Sequence, residues 1–531
     1  MNLIPIVIIF VPIITACIIY LVHRPWITAL GFLCQGFLTL TLFRYSQFVQ
    51  QLGLHELGIG GWPAHIGIGL RNDRLSMAFL WLTILFWTII LLYIWAYRKR
   101  DYKFLFFLFF LEGAFLGLLQ SNDIFSFFIF VDITTILSTI LIIYEKNGYA
   151  IKSGVFYLLF NSVGMLFYQL GFIFLYTAMG TLNITILTER IATAPHSNLL
   201  LLSYLFFLVA VGVKSAIFPV YTWLPRAHSA APSAISALLS GLLVKSGLYA
   251  FLRMQFLFSA PHMNDFFFWL GLVSAISGVI FAISQSHLKQ LLAYSTVSQI
   301  GLITMGLSQP NSLLYMGGIT HLFNHAIFKS LLFLCAGVII HRTGKKKLCD
   351  IKGILSTMPW LSAAMIIGML ALSGGFLTNG YLSKSLLLYG LEGKPAIATL
   401  AFHFVNLGTI IYLLKLSQIF FGHAAQPQKP IVLGQRLAIT ILATTCLVLP
   451  WFKHDLWAYF GLSLPHISLF TLEKAIIYGA QLAIGFWFVK RVIRQEPKFM
   501  RSIRNFQFGF GSSNALMLLF LILMIVSANL Y

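Results

Sequence analysis

Charge is scarce in this sequence, and acid is the scarcest of all. Only 9% of the 531 residues are Asp, Glu, Lys or Arg, and 14 acids face 35 bases. Soluble globular chains carry about 25% charge, so this composition excludes a water-facing domain of any size. The net charge of +21 is not a nucleic-acid footprint. Its excess sits in the short loops 98–103, 342–352 and 490–504, as the positive-inside rule expects of a multi-span membrane protein. Cysteine is also rare. Cys17, Cys34, Cys335, Cys349 and Cys446 form no CxxC pair, and four of them lie in apolar runs. That argues against a disulfide framework, a zinc site or an iron–sulfur cluster. No cofactor and no metal are expected here, and any redox centre would belong to another chain.

What the sequence has is apolar length. It is 59% hydrophobic, with a mean hydropathy of +0.89. Runs of about 20 apolar residues recur, each able to cross roughly 30 Å of hydrocarbon. About sixteen transmembrane helices are expected, at 3–22, 26–43, 75–97, 104–120, 124–144, 155–178, 200–219, 232–253, 266–286, 290–307, 312–340, 358–388, 395–421, 434–451, 474–489 and 507–528. The first run lacks a basic start and a small-residue cleavage site, so it reads as a retained helix. Threaded alternately from outside, the spans put the basic loops 98–103, 145–152, 341–352 and 490–505 on one side. That side would be cytoplasmic, with both termini on the other. The longest non-cytoplasmic loop, 44–74, alternates around 64–70, which predicts a short strand or hairpin; a plain surface loop fits the pattern equally well.

Two of the spans are interrupted. The helix carrying Lys214 meets Pro219, and about Trp223–Pro232 it passes through Pro225, Arg226 and His228 before a second apolar helix with Lys245. The span 358–388 breaks at 373–380, SGGFLTNG, and then carries Lys384. Helix breaks at membrane depth survive where the backbone is buried in protein or lines a wet cavity, and paired breaks point to a transport site between repeats. Residues 104–253 and 254–421 would be the two repeats, with 1–103 before them and 422–531 after.

Ionisable residues inside spans are functional hypotheses by default. Asp132, in FSFFIFVDITTILS, needs a basic partner, and Lys214 is the candidate; a static structural ion pair is the alternative. Lys245 has no nearby acid in sequence and lies too deep to snorkel, which suits a proton relay. His321, His325 and Lys329 recur every four residues and so share a helix face. A proton relay, plain packing and a two-histidine metal site all fit that spacing, and no third ligand supports metal. His228 could bridge Lys214 to Lys245, and Lys384 would end the path. Ser295, Ser298 and Gln299 could hold water or pack helices. Glu112 is either a functional carboxyl or one satisfied locally.

Five stretches carry a resemblance over most of the chain: GGWPAHIGIGL with DRLS, SNDIFSFFIFVDI, VGVKSAIFPVYTWLPRAHSAAPSAISALLSGLLVKSG, LKQLLAYSTVSQIG and GITHLFNHAIFKSLLFLCAG. The sequence resembles the antiporter-like membrane subunits of respiratory complex I, membrane-bound hydrogenases and Mrp-type cation/proton antiporters, and is most similar to the D-type subunits of the Mrp branch. The resemblance implies an all-α polytopic fold. It also implies a fourteen-helix core of two inverted five-helix repeats, with the seventh and twelfth helices broken. A proton-translocation axis would run through Asp132, Lys214, His228, Lys245, His321, His325, Lys329 and Lys384. The implied function is proton movement, coupled to Na+ or K+, in a hetero-oligomeric complex of the bacterial inner membrane, with no active-site chemistry in this chain. Alternatives are the proton pump of a quinone- or hydrogen-linked oxidoreductase and the membrane partner of a proton-driven inorganic-carbon uptake complex. The sequence departs from the family at three points: Asp132 stands where a glutamate is usual, the second break lacks Pro-Pro, and two helices follow the core.

Overall fold

Backbone that crosses hydrocarbon must satisfy its hydrogen bonds within the segment, so apolar spans fold as helices. The computed structural model obeys this throughout its length. It describes residues 3–529, apart from 25, 27–28, 99, 196, 259, 311, 424–430, 461–467, 469–470, 496 and 507. The chain begins with α1 (Ile4–Val22) and α2 (Ala29–Leu52), which pack on one another. A hairpin follows, with β1 (Leu54–Ile59) antiparallel to β2 (Ile68–Asp73) and Leu54 opposite Asp73. The sequence predicts the strand near 64–70. β2 overlaps that stretch, and β1 begins upstream at Leu54, directly after α2, which runs on through residues 44–52 until Gly53, at φ +76°, makes the first turn out of it.

Then come α3 (Arg74–Arg98), α4 (Tyr102–Gln120), α5 (Ile124–Ile142) and α6 (Gly148–Met179). The N-termini of α4, α5 and α6 are capped by the side chains of Asp101, Asp123 and Asn147, each satisfying a backbone N–H that the helix cannot. A short helix, α7 (Ile184–Thr193), follows with its own cap at Asn183. Hydropathy gives no sign of it, because only Ile184 and Leu187 are buried.

The first break falls between α8 (Asn198–Ser215) and α9 (Trp223–Ala230). Ala216 adopts φ 54°, and the Trp223 indole donates to the freed Val213 carbonyl at 2.8 Å. The next span is composite: α10 (Ser233–Leu238), a π-helical turn over Leu239–Leu243, and α11 (Val244–Leu257). After α12 (Pro261–Ser284) and α13 (Leu288–Leu307) comes the long α14 (Leu313–Thr343). It is 94% buried along its apolar window, which makes it the central post; α10, α13, α16, α17 and α19 all lean on it. A one-turn helix, α15 (Ile354–Thr357), leads to α16 (Pro359–Ser373), which ends where Gly374 turns at φ +81°; α17 (Asn379–Tyr389) resumes beyond this second break.

The remaining elements are α18 (Ala396–Leu416), α19 (Leu433–Val448), α20 (Lys453–Tyr459), α21 (Leu472–Arg491), α22 (Lys498–Asn505) and α23 (Phe510–Asn529). Helix lies at each of the sixteen expected positions. Thirteen are long and apolar enough, taken singly, to cross a membrane. The other three are α2, α13 and the broken pair α16/α17. The two spans after α20 part company: α21 lies against α18, and α23 against α8, α6 and α12.

Candidate functional site

The two breaks and the π-turn aim their basic side chains at the middle of the bundle. Lys214 lies on the last turn of α8, and its ammonium donates to Thr135 Oγ1 on α5. Asp132, one turn earlier on α5, acts on Lys214 through space, but no ion pair within 4 Å joins them among the described residues. The expected pair is therefore open, with the Thr135 hydroxyl as the partner of Lys214. Both side chains are only half-buried. Beside Lys214 lie two cavities of about 10 Å³ each, both lined by Ser246. Each is room for roughly one water. α11 comes so close that a Cβ at Gly247 would stand 2.6 Å from Ser215 N, and this contact brings the helices of Lys214 and Lys245 together.

The π-turn explains Lys245. A wider i→i+5 turn frees carbonyls from the α ladder. The Lys245 ammonium takes the Ser240 carbonyl, five residues back. Its second partner is His325 Nδ1 at 2.8 Å. Lys245 and His325 are completely buried, so their only neighbours are other protein groups. On α14 the predicted stripe holds. His321 Nδ1 meets Ser383 Oγ at 2.9 Å and its Nε2 meets Gln299 Oε1 at 3.0 Å. The two histidine rings are 6.3 Å apart. Lys329 donates to the Leu292 carbonyl at 2.7 Å and to Ser295 Oγ at 2.5 Å. Ser298 Oγ, by contrast, is buried without a partner among the described residues.

His228 is fully buried, and neither ring nitrogen has a partner among the described residues. It stacks on Phe333 at 4.6 Å and 11°, and no hydrogen bond links it to Lys214 or Lys245. Lys384, on the first turns of α17, donates to Asn406 Oδ1 at 2.8 Å, and Asn406 Nδ2 donates in turn to Gln481 Oε1 at 2.8 Å. Ser383, its neighbour in sequence, is the residue that reaches His321.

Lys245, His325, His321, Lys329 and His228 thus form a buried basic cluster with no acid in hydrogen-bonding contact among the described residues. Like charges in a low dielectric repel strongly, so a charge at one of these bases is felt at the others. Glu112 stands apart from it. Both of its oxygens accept from Gln35 Nε2, at 2.9 and 2.8 Å, and Gln35 Oε1 accepts from Thr88 at 3.3 Å.

The chain and its fold have known counterparts. The family described as NADH:quinone oxidoreductase/Mrp antiporter, TM, matches residues 121–409. The chain belongs to this family. The D subunit of the Na(+)/H(+) antiporter of Alkalihalophilus pseudofirmus is 31% identical over 73% of this chain and 80% of its own length. The N subunit of the NADH-quinone oxidoreductase of Desulforudis audaxviator is 29% identical over 71% of this chain and 78% of its own. In fold, the chain matches one from the Mrp complex of a Dietzia species with a TM-score of 0.79 at 20% identity, covering 95% of this chain and 99% of that one.

The NADH:quinone oxidoreductase/Mrp match begins just before α5 and ends within α18, so it contains every predicted axis residue from Asp132 to Lys384 and leaves out α19–α23. Asn406 and Gln481 escape sequence reading because single amides in apolar helices look like packing groups; only their contact with Lys384 marks them. Asp73 and Arg253, at the hairpin end, escape for another reason: they are 180 residues apart and each sits at a span end.

Proposed function

We propose that this chain is the proton-translocating membrane subunit of a multisubunit monovalent cation/proton antiporter. Its axis would run through Asp132, Lys214, His228, Lys245, His321, His325, Lys329 and Lys384. The carrying observation is the buried row of bases in which Lys245 hydrogen-bonds His325, the His321 ring lies 6.3 Å from that of His325, and His321 hydrogen-bonds Ser383 beside Lys384. In the resting arrangement Lys214 rests on Thr135, and Asp132 is held off. A proton or cation reaching Asp132 weakens its attraction for Lys214. Lys214 is then free to turn through the cavities at Ser246 towards Lys245. A second charge beside Lys245 favours proton transfer across the 2.8 Å contact to His325, and the repulsion travels on to His321 and Lys384. His228, adjacent and unpartnered, serves as an alternative stop for the displaced proton.

The antiporter D subunit among the relatives supports this class. The half-buried Asp132, at mid-span on the surface of this chain, supports coverage by a neighbouring membrane subunit, since a carboxylate facing lipid is costly. We take the complex to lie in a bacterial inner membrane. The basic loops would face the cytoplasm, both termini would face away from it, and residues 104–253 and 254–421 would be the inverted repeats.

The test is Lys245→Ala in the assembled complex, followed by sodium- or potassium-driven proton flux into vesicles. Flux should fall at least about a hundredfold, the scale of losing a positioned proton-transfer group, with assembly intact; unchanged flux overturns the relay. A second reading, the proton pump of a quinone-linked oxidoreductase, has support in the NADH-quinone oxidoreductase relative. Iron–sulfur or flavin proteins co-purifying with the tagged chain would favour it over the antiporter.

A further inference from the structure

The axis does not stop at the second broken helix. α21, outside the matched region, lays one face against it. Residues 474, 478 and 481 are spaced at i, i+4 and i+7, one helical face, and each meets the Lys384 site. Gln481 accepts from Asn406, which itself accepts from Lys384. The Tyr478 hydroxyl lies 2.7 Å from Ser373 Oγ, at the end of α16. Lys474 stands 3.9 Å from the centre of the Tyr389 ring, and its Nζ is buried with no hydrogen-bond partner among the described residues. The three side chains, with Lys384, Asn406 and His403, line one cavity of about 60 Å³, space for a few waters. Among the described residues no Asp or Glu lines it. Its titratable groups are Lys384 and Tyr381 on α17, His403 on α18, and Lys474 and Tyr478 on α21.

Lys474 lies in the first turn of α21, and Lys384 faces the buried middle of the same cavity. Beyond the ring faces of Tyr389 and Tyr381 the Lys474 ammonium has no partner among the described residues, so cavity water is what satisfies its N–H groups. We propose that α21 completes the outlet of the proton axis, with Lys474 as the terminal proton-exchanging group beyond Lys384 and Gln481 holding Asn406 so that it faces Lys384. Lys474 gives a proton to water at the α21 N-terminus and takes up in its place the one that leaves Lys384 through cavity water; no bond other than N–H and O–H bonds forms or breaks. This inference rests on the proton-axis reading and adds a helix to it.

The test uses the whole complex in vesicles, with five forms side by side: wild type, Lys474→Met, Gln481→Leu, Gln481→Glu and Phe486→Ala. Phe486 is an exposed residue elsewhere on α21 and reports on damage to the helix itself. Proton flux should drop about tenfold in Lys474→Met, less than the hundredfold or more expected of a site that no water can replace. The acid–alkaline profile of the remaining flux should move, since a terminal base is gone. Gln481→Leu should slow flux, and Gln481→Glu should restore part of it, because its carboxylate still accepts from Asn406; a purely structural role would give no such rescue. Phe486→Ala should match wild type. Wild-type flux and an unmoved pH profile in Lys474→Met, in a complex whose wild type does transport, overturn the outlet while leaving the axis standing. Absence of flux in the wild type under every cation gradient overturns the antiporter reading instead.

Discussion

At the residue scale the firmest electrostatic contact lies away from the axis, where the hairpin meets the bundle. The Arg253 guanidinium grips Asp73 with two hydrogen bonds, at 2.5 and 2.9 Å, and also reaches the Tyr249 hydroxyl. Burial alone would raise the Asp73 carboxyl; Arg253, its hydrogen bonds and the nearby Arg71 override that and hold it well below the usual carboxylate range. Bidentate Arg–carboxylate pairs are the strong members of their class. Removing one partner of a buried pair costs about 3–5 kcal/mol, so Asp73→Asn should lower the thermal unfolding temperature in detergent at pH 7. The sign of the pH dependence follows from the depressed carboxyl. Its contribution is full above the ordinary carboxylate value of about 4 and fades as pH falls from there towards the folded value. The gap between wild type and Asp73→Asn should therefore stay constant from pH 8 to 5 and narrow below 4. A gap unchanged down to pH 3 would assign the loss to packing. The same logic of partners explains the axis: its bases were legible singly, as charges in apolar runs, but which base touches which was not.

At the element scale, close helix approach sets the geometry. A Cβ on Gly278 would come 2.4 Å from Ser298 N, one on Gly301 2.4 Å from Ala275 N, and one on Gly271 2.5 Å from Met305 N. α12 and α13 thus touch backbone to backbone, the usual way small residues hold membrane helices. That contact presents Ser295 and Gln299 to α14. Gly301→Ala should destabilise the protein by about 1–3 kcal/mol, as overpacking does, and should weaken the Gln299–His321 contact. Gly479→Ala, on α21 with nothing within 4 Å of its new Cβ, should cost nothing and gain up to about 1 kcal/mol. Thermal unfolding of the two variants beside wild type checks both; equal losses would show that α12 and α13 are not clamped there. The two breaks were readable from Pro219 and the Gly374–Gly375 pair, because these residues interrupt helices locally. The π-turn before Lys245 was not readable, since SAISALLSGLLVK carries no helix breaker stronger than one glycine. Within it the Lys245 ammonium takes the Ser240 carbonyl, and Ser330 of α14 donates to the Ala237 carbonyl just before it.

At the scale of the whole molecule, the basic loops converge. Arg98, Glu145, Lys289, His341 and Lys346 line one cavity of about 1030 Å³ at a single end of the bundle, and the hairpin with Asp73 lies at the other end of α3. Residues of three of the four loops predicted to share a side, 98–103, 145–152 and 341–352, thus meet at one cavity. Which end faces the cytoplasm is testable with reporter fusions. Alkaline phosphatase fused to either terminus should be active and a fluorescent protein dark; the reverse at both termini inverts the orientation, and a split result breaks the even span count.

The sequence by itself determined the class, the placing of a helix at each of the sixteen expected positions, the two breaks and the identity of the buried bases. Each of these depends on the local cost of placing a polar group or an unpaired backbone in hydrocarbon, a cost that single residues carry with them. Only the tertiary structure decided that Lys214 rests on Thr135 rather than Asp132, that Lys245 meets His325, that His228 has no partner among the described residues, and that α21 reaches the Lys384 site. Those outcomes depend on ångström-scale distances between helices far apart in the chain. Such distances are set by the packing of many side chains at once, and hydropathy and spacing do not encode them.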